Sequence, residues 1–197
     1  MTSLLIFLAI IAAVVVYAIG IYNSLINLRN RVKNAFAQID VQLTRRHDLI
    51  PNLVESVKGA MEFEKETLEA VIQARNQAVN IQAGASPTGG VQALAGAEAA
   101  LGAALSRFNL VVERYPDLKA TTNVGQLQEE LTSTENRVAF ARQLYNDTAT
   151  VYNVKQQQVP WNLIAGFAHC EQVELWEITD EKEREVPQVD LSMKPKE

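Results

Sequence analysis

The residues best equipped for chemistry in this 197-residue chain are few. His169 and Cys170 supply a base and a nucleophile in adjacent positions. Neighbours on a helix diverge by about 100°, so contact between them is unfavourable, and no acid–base partner stands by. His47-Asp48 pairs a base with an orienting carboxylate but reads better as a polar pair at a helix break. Glu62, Glu64, Glu66 and Glu69 could gather a cation. With Lys65 among them and no histidine, they read as a solvated helix face. No P-loop, HExxH, GxSxG or strand-bound GxGxxG pattern occurs. Two histidines and one cysteine leave few ligands for zinc or haem, and no cofactor is expected. Enzymatic activity is not expected either.

Charge excludes a further class. The chain carries 18 Lys+Arg against 23 Asp+Glu, a net charge of −5, and residues 170–197 hold the whole excess of acid. No basic surplus exists to grip phosphates, so nucleic acid is not an expected partner. One cysteine rules out an internal disulfide framework.

The elements that must position any site begin with an anchor. Leu4 to Ile21 is free of charge and would rise about 27 Å as a helix, close to the hydrocarbon thickness of a bilayer. Met1-Thr2-Ser3 lacks the basic start of a signal peptide, and the apolar run is longer than such peptides use. An uncleaved single-pass anchor over residues 1–22 is therefore predicted. Tyr22 stands at the interface, and Arg29, Arg31 and Lys33 follow on the carboxyl side. The positive-inside bias then puts the amino terminus outside and the body in the cytoplasm.

Three long helical stretches follow, and residues 23–168 are predicted to form a soluble all-α, antiparallel helical bundle. In the first, apolar or small residues fall at 25, 28, 32, 35, 39, 43, 50, 53, 57 and 61, with no break until Gly84 to Gly90. Pro51 predicts a kink or restart near Asp48, which would give four helices. The second runs from Val91 to Tyr115 and is alanine-rich in its first half, ending at Pro116-Asp117. The third, about Asn123 to Gln157, sets Val124, Leu127, Leu131, Thr134, Val138, Ala141, Tyr145, Thr148 and Tyr152 in a coiled-coil-like seam. Phe140, Leu144, Val151 and Val154 are expected to widen its buried stripe. Residues 169–197 read as an extended acidic tail. Val173 to Ile178 alternates like a strand, but packed helices offer a lone strand no backbone ladder, so the tail is expected to be partly mobile, with Trp176 docking on the bundle or a neighbour.

Polar residues inside the stripes are the candidate site. Arg46 shares the phase of Leu25, Val32, Ile39 and Leu53, with Asn34, Gln38, Asp40, Arg45, Asp48 and Asn52 around it. Glu130, Thr134, Glu135, Asn136, Arg142 and Asn146 flank the third seam. A buried arginine needs a carboxylate, so Glu130 or Glu135 is predicted to pair with Arg45 or Arg46. The network is expected to fix register, or to serve a subunit interface.

At this point a family resemblance enters. The runs Asn34-Ala35-Phe36-Ala37-Gln38-Ile39-Asp40-Val41-Gln42-Leu43 and Arg45-Arg46-His47-Asp48-Leu49-Ile50-Pro51-Asn52-Leu53-Val54 resemble the signature of the LemA family. So do Leu127 to Asn136, Ala141-Arg142, Tyr145-Asn146, Tyr152-Asn153 and the closing Val186-Pro187-Gln188-Val189. Phe36 stands where many relatives have tryptophan, and the region of Trp161 and Cys170 departs from the usual tail. The resemblance implies a bacterial membrane-anchored protein with a helical body, not known as an enzyme, with some relatives linked to membrane or organelle organisation. It supplies no catalytic or ligand residue.

The expected function is a non-enzymatic scaffold that self-associates into a homo-oligomer at the bacterial cytoplasmic membrane, with the lipid bilayer as its other partner. The alternative is a regulatory adaptor that presents its acidic tail to an unidentified membrane protease or sensor.

Overall fold

The computed structural model describes residues 1–61, 63–115 and 122–177. Among these the chain is all-helical and has no strand. Its five helices are α1 (Thr2–Val57), α2 (Lys65–Gln82), α3 (Val91–Val112), α4 (Thr122–Gln157) and α5 (Trp161–Phe167). The expected end of the second stretch at Pro116-Asp117, part of the acidic tail and the closing Val186 to Val189 lie outside the described residues.

Helix α1 has 56 residues, a rise of about 84 Å. Leu4 to Ile19 face outward almost without exception, and α1 is long and apolar enough there to cross a membrane. From Ile21 onward one stripe turns inward: Leu25, Val32, Ala35, Ile39, Leu43, Ile50, Leu53 and Val57 are buried. A helix of this period buries a stripe only if other helices run along it. Helix α4 does so in the opposite direction. Arg45 faces Glu130, the Phe36 ring tilts against Tyr145 with centroids 5.7 Å apart, and Leu25 lies near Ala165 just beyond α4.

Pro51 does not split α1, contrary to expectation; it sits inside a continuous helix. Proline removes the N–H that would bond the carbonyl four residues back, which is that of His47. Arg75 Nε of α2 donates to this carbonyl at 3.1 Å, so the helix survives the loss. The break falls instead between Val57 and Lys65, before the Gly84 to Gly90 piece that was expected to be the first. Gly59 is poor in a helix interior, and buried Met61 turns the corner, its N–H bonding Val57 and its carbonyl accepting from Glu64. Helix α2 then pairs with α3 through the turn at residues 83–90. Gly90 holds φ at +89°, and a Cβ there would stand 3.3 Å from Ala85 Cα, which suits glycine alone.

Besides a small cluster of Ile21, Leu25 and Ala165, the apolar interior forms two large clusters along the rod. One gathers Val32 to Leu43 with Val91, Leu94 and the stretch Val138 to Tyr152. The other gathers Ile50 to Met61 with Leu68, Val71, Leu101, Phe108 and Val124. One expectation fails here. Phe140, Leu144, Val151 and Val154 do not widen the buried stripe but lie exposed on α4. The segment after α5 is extended as expected, and its described part is fastened down, with Val173 and Trp176 docked in the first cluster. Helices have no spare backbone groups for it, yet side chains of α4 take their place. Asn153 accepts from the Val173 N–H at 3.0 Å and donates to its carbonyl at 2.8 Å. Asn146 does the same for Trp176 at 2.8 and 2.9 Å.

Candidate functional site

Between the two apolar clusters lies one buried polar layer. Arg46 and His47 come from α1, and Glu98 comes from α3. Arg46 Nη1 donates to Glu98 Oε2 at 2.9 Å, and His47 Nε2 meets Glu98 Oε1 at 2.7 Å. The three side chains are 7%, 2% and 5% exposed, so water does not compensate them and each depends on the others. Because a carboxylate only accepts, Nε2 of His47 carries the hydrogen of this contact. Nδ1 is left buried without a partner among the described residues. Arg46 Nη2 also reaches Glu135 of α4 at 3.8 Å, a carboxylate 67% exposed. The layer thereby joins α1, α3 and α4, and Arg75 brings in α2 through the His47 carbonyl.

Beside the layer opens a cleft of about 300 Å³ lined by Arg46, Gly102, Ser106, Asn109, Gln128 and Glu135, among others. The guanidinium at its base is already compensated by Glu98, and Glu135 faces the same space. Such an arrangement opposes sliding of α3 along α1, because a displaced carboxylate would strand charge.

The remaining candidates scatter. Arg45 meets Glu130 at 3.7 Å on the surface. Asp40 accepts from Gln82 Nε2 of α2 at 2.7 Å. Asp48 and Asn136 are exposed. Asn34 and Gln38 are exposed as well, and line a groove that also holds Arg31, Leu144 and Val151. Arg142 lies over the Trp176 ring, 5.2 Å from its centre. At the other end Tyr22, Arg31 and Lys33 are exposed, while Arg29 is half-buried. His169 is exposed with φ of +46°, and Cys170 turns to the phenol of Tyr152. Burial chiefly, and that thiol next, push the Tyr152 phenol up to about 12. Burial and the neighbouring Glu174 also raise Tyr145 well above the ordinary phenol range. In the acidic cluster Glu64 pairs with Arg114 at 3.1 Å, Glu66 and Glu69 face solvent, and Glu62 lies outside the described residues.

Glu98 is the residue that sequence reasoning missed. The signal was present: it is the lone charge between Val91 and Ser106, one turn after Leu94 and three residues before Leu101. Glu174 is a second omission. Its Oε2 accepts from the N–H groups of Val91 at 2.8 Å and Gln92 at 3.3 Å, capping α3 from a segment remote in sequence.

A family model described as the LemA family matches residues 35–191. Among curated proteins the chain is similar to magnetosome protein MamQ 2 of Paramagnetospirillum magneticum, 26% identical over 172 residues that cover 76% of this chain and 63% of that protein. MamQ 1 of the same organism matches to the same extent. Protein LemA of Metamycoplasma hominis is 27% identical over 173 residues, covering 88% of this chain and 74% of its own length. The chain thus spans less than two thirds of the MamQ proteins it matches.

Proposed function

The chain belongs to the LemA family, and we propose that it is a membrane-anchored, non-enzymatic scaffold whose copies associate side by side at the bacterial cytoplasmic membrane. The observation that carries this reading is the apolar stripe left bare on α4: Phe140, Leu144, Val151 and Val154. Spacings of four, seven and three keep these residues on one face. The stripe runs parallel to α1, whose outward-facing apolar part serves as the anchor. Two copies held upright in one membrane bring such stripes together without turning over. The groove lined by Asn34, Gln38 and Arg31 lies beside it and supplies a polar rim. Fully burying side chains of this size contributes about 1.5–3 kcal/mol each. Repetition of the contact gives a ring or a filament, depending on closure. The names of the relatives, magnetosome protein and LemA, denote no reaction, in keeping with a scaffold. Arg29, Arg31 and Lys33 favour a cytoplasmic body.

The test is mass photometry of the full-length protein in mild detergent or nanodiscs. Wild type runs as a multimer, and Leu144→Asp with Val151→Asp shifts it to monomer. A strictly monomeric wild type refutes the proposal. The adaptor alternative would have to rely on the acidic tail without Trp176, which the helices bury at 3% exposure. Deleting residues 178–197 is accordingly expected to leave assembly unchanged.

A further inference from the structure

The end of the molecule next to the anchor carries apolar surface that none of the described helices covers. Through Ala165, with Ile164 and Trp161, α5 packs on Ile21 and Leu25 of α1. These are the first buried positions beyond the outward-facing run of the anchor. The other side of α5 bears Leu163 and Phe167, 63% and 87% exposed, and Val159 just ahead of it is 77% exposed. Leu163 and Phe167 are four residues apart and so share a face. A seven-residue helix that buries one side on the rod and bares leucine and phenylalanine on the other is costly in water. It is suited to a boundary where acyl chains begin.

Charge at this end points the same way. Although the chain as a whole is acidic, no Asp or Glu occurs before Asp40 or between Asp147 and Glu171. The segments that meet there carry Arg29, Arg31, Lys33 and Lys155 instead. Lys155 Nζ lies over the Trp161 ring, 4.7 Å from its centre. Tryptophan with a cation beside it is the pairing that settles at headgroup depth.

We propose that α5 is an interfacial foot. Val159, Leu163 and Phe167 enter the shallow acyl region of the leaflet through which α1 emerges, Trp161 lies at headgroup level, and the four basic residues face anionic headgroups. The proposal rests on the anchor reading of α1. It deepens that reading, because a second point of attachment fixes the rotation of the rod about its own axis and so the direction in which the α4 stripe looks.

Brominated lipids test it. Full-length protein is reconstituted in phosphatidylcholine–phosphatidylglycerol vesicles whose acyl chains carry bromine at shallow or deep positions. Shallow bromines are expected to quench part of the tryptophan emission, and Trp161→Phe removes the quenched part. The remaining Trp176 is bonded to Asn146, about 13 Å farther along α4 than Lys155, and stays unquenched. Leu163→Asp with Phe167→Asp, both at exposed positions, abolishes the quenching of Trp161 while the protein still floats with vesicles after alkaline wash. Wild type that floats but is not quenched overturns the foot alone; wild type that washes off overturns the anchor reading. Should Trp161 go unquenched while Phe167→Asp reduces particle size in nanodiscs, the face belongs to a second copy and the foot is refuted.

Discussion

Arg75 Nε stands 3.1 Å from the carbonyl oxygen of His47, the one carbonyl in α1 that Pro51 deprives of its helical N–H. A proline inside a long helix is commonly a kink; here a side chain from the adjoining helix takes the place of the lost donor.

Arg75→Met is therefore expected to cost about 1–3 kcal/mol, as expected for an unsatisfied buried acceptor. Pro51→Ala restores the helical N–H and should shrink that cost by at least half. Urea denaturation of the two single variants and the double variant reads the coupling. Strictly additive effects would remove the explanation.

The three carboxylates around Arg45 and Arg46 separate by burial. Glu98→Ala leaves Arg46 and His47 uncompensated and should cost about 3–5 kcal/mol. Glu130→Ala and Glu135→Ala break pairs open to water and should cost less than about 1 kcal/mol each. Equal losses in thermal melts would contradict the assignment of Glu98 as the central partner.

The extended segment after α5 is held in part by two amides of α4. Asn153→Ala and Asn146→Ala each strand a backbone N–H and a carbonyl, at an expected cost of about 1–3 kcal/mol. Hydrogen exchange at the Val173 and Trp176 amides should speed up in the matching variant while α1 amides keep their protection. Unchanged exchange would show that the segment is held without these two amides.

Alkali provides a further test. The Tyr152 phenol is held at about 12 in the folded protein against 10.0 for the free group, and Tyr145 is raised likewise. A folded state that keeps its proton longer is stabilised fully below pH 10 and loses that contribution as pH rises toward 12. Stability should thus be flat from neutral pH to about pH 9 and fall above 10. Tyr152→Phe should flatten the fall. Phenolate absorbance that develops around pH 10 in the wild type, is missing from Tyr152→Phe and comes without loss of helix would contradict the burial.

The inward stripes of α1, α3 and α4 were legible because a 3.6-residue period records which face is buried, and Leu25 to Met61 kept that period across the corner at Gly59. The same continuity hid the corner: Val57 and Met61 stay in phase, so the pattern runs on while the chain turns. Glu98 was obscured by a general rule, since a glutamate in a helix is ordinarily solvated, and its partners lie some fifty positions earlier. The exposed set Phe140 to Val154 misled for a related reason. Hydrophobicity marks a face that seeks cover but not whether that cover comes from the same chain. Asn146 and Asn153 could not be assigned to Trp176 and Val173 from spacing, because side chains serving a remote backbone leave no periodic trace.

The opposed course of α1 and α4 bears on how the molecule is made. Synthesis delivers Leu25 long before Ala165 and Arg45 long before Glu130, so the stripe of the rod waits bare while the rest is translated. Pairings this distant in sequence close slowly. During that interval the nascent chain presents a long helix whose apolar stripe is still bare to water.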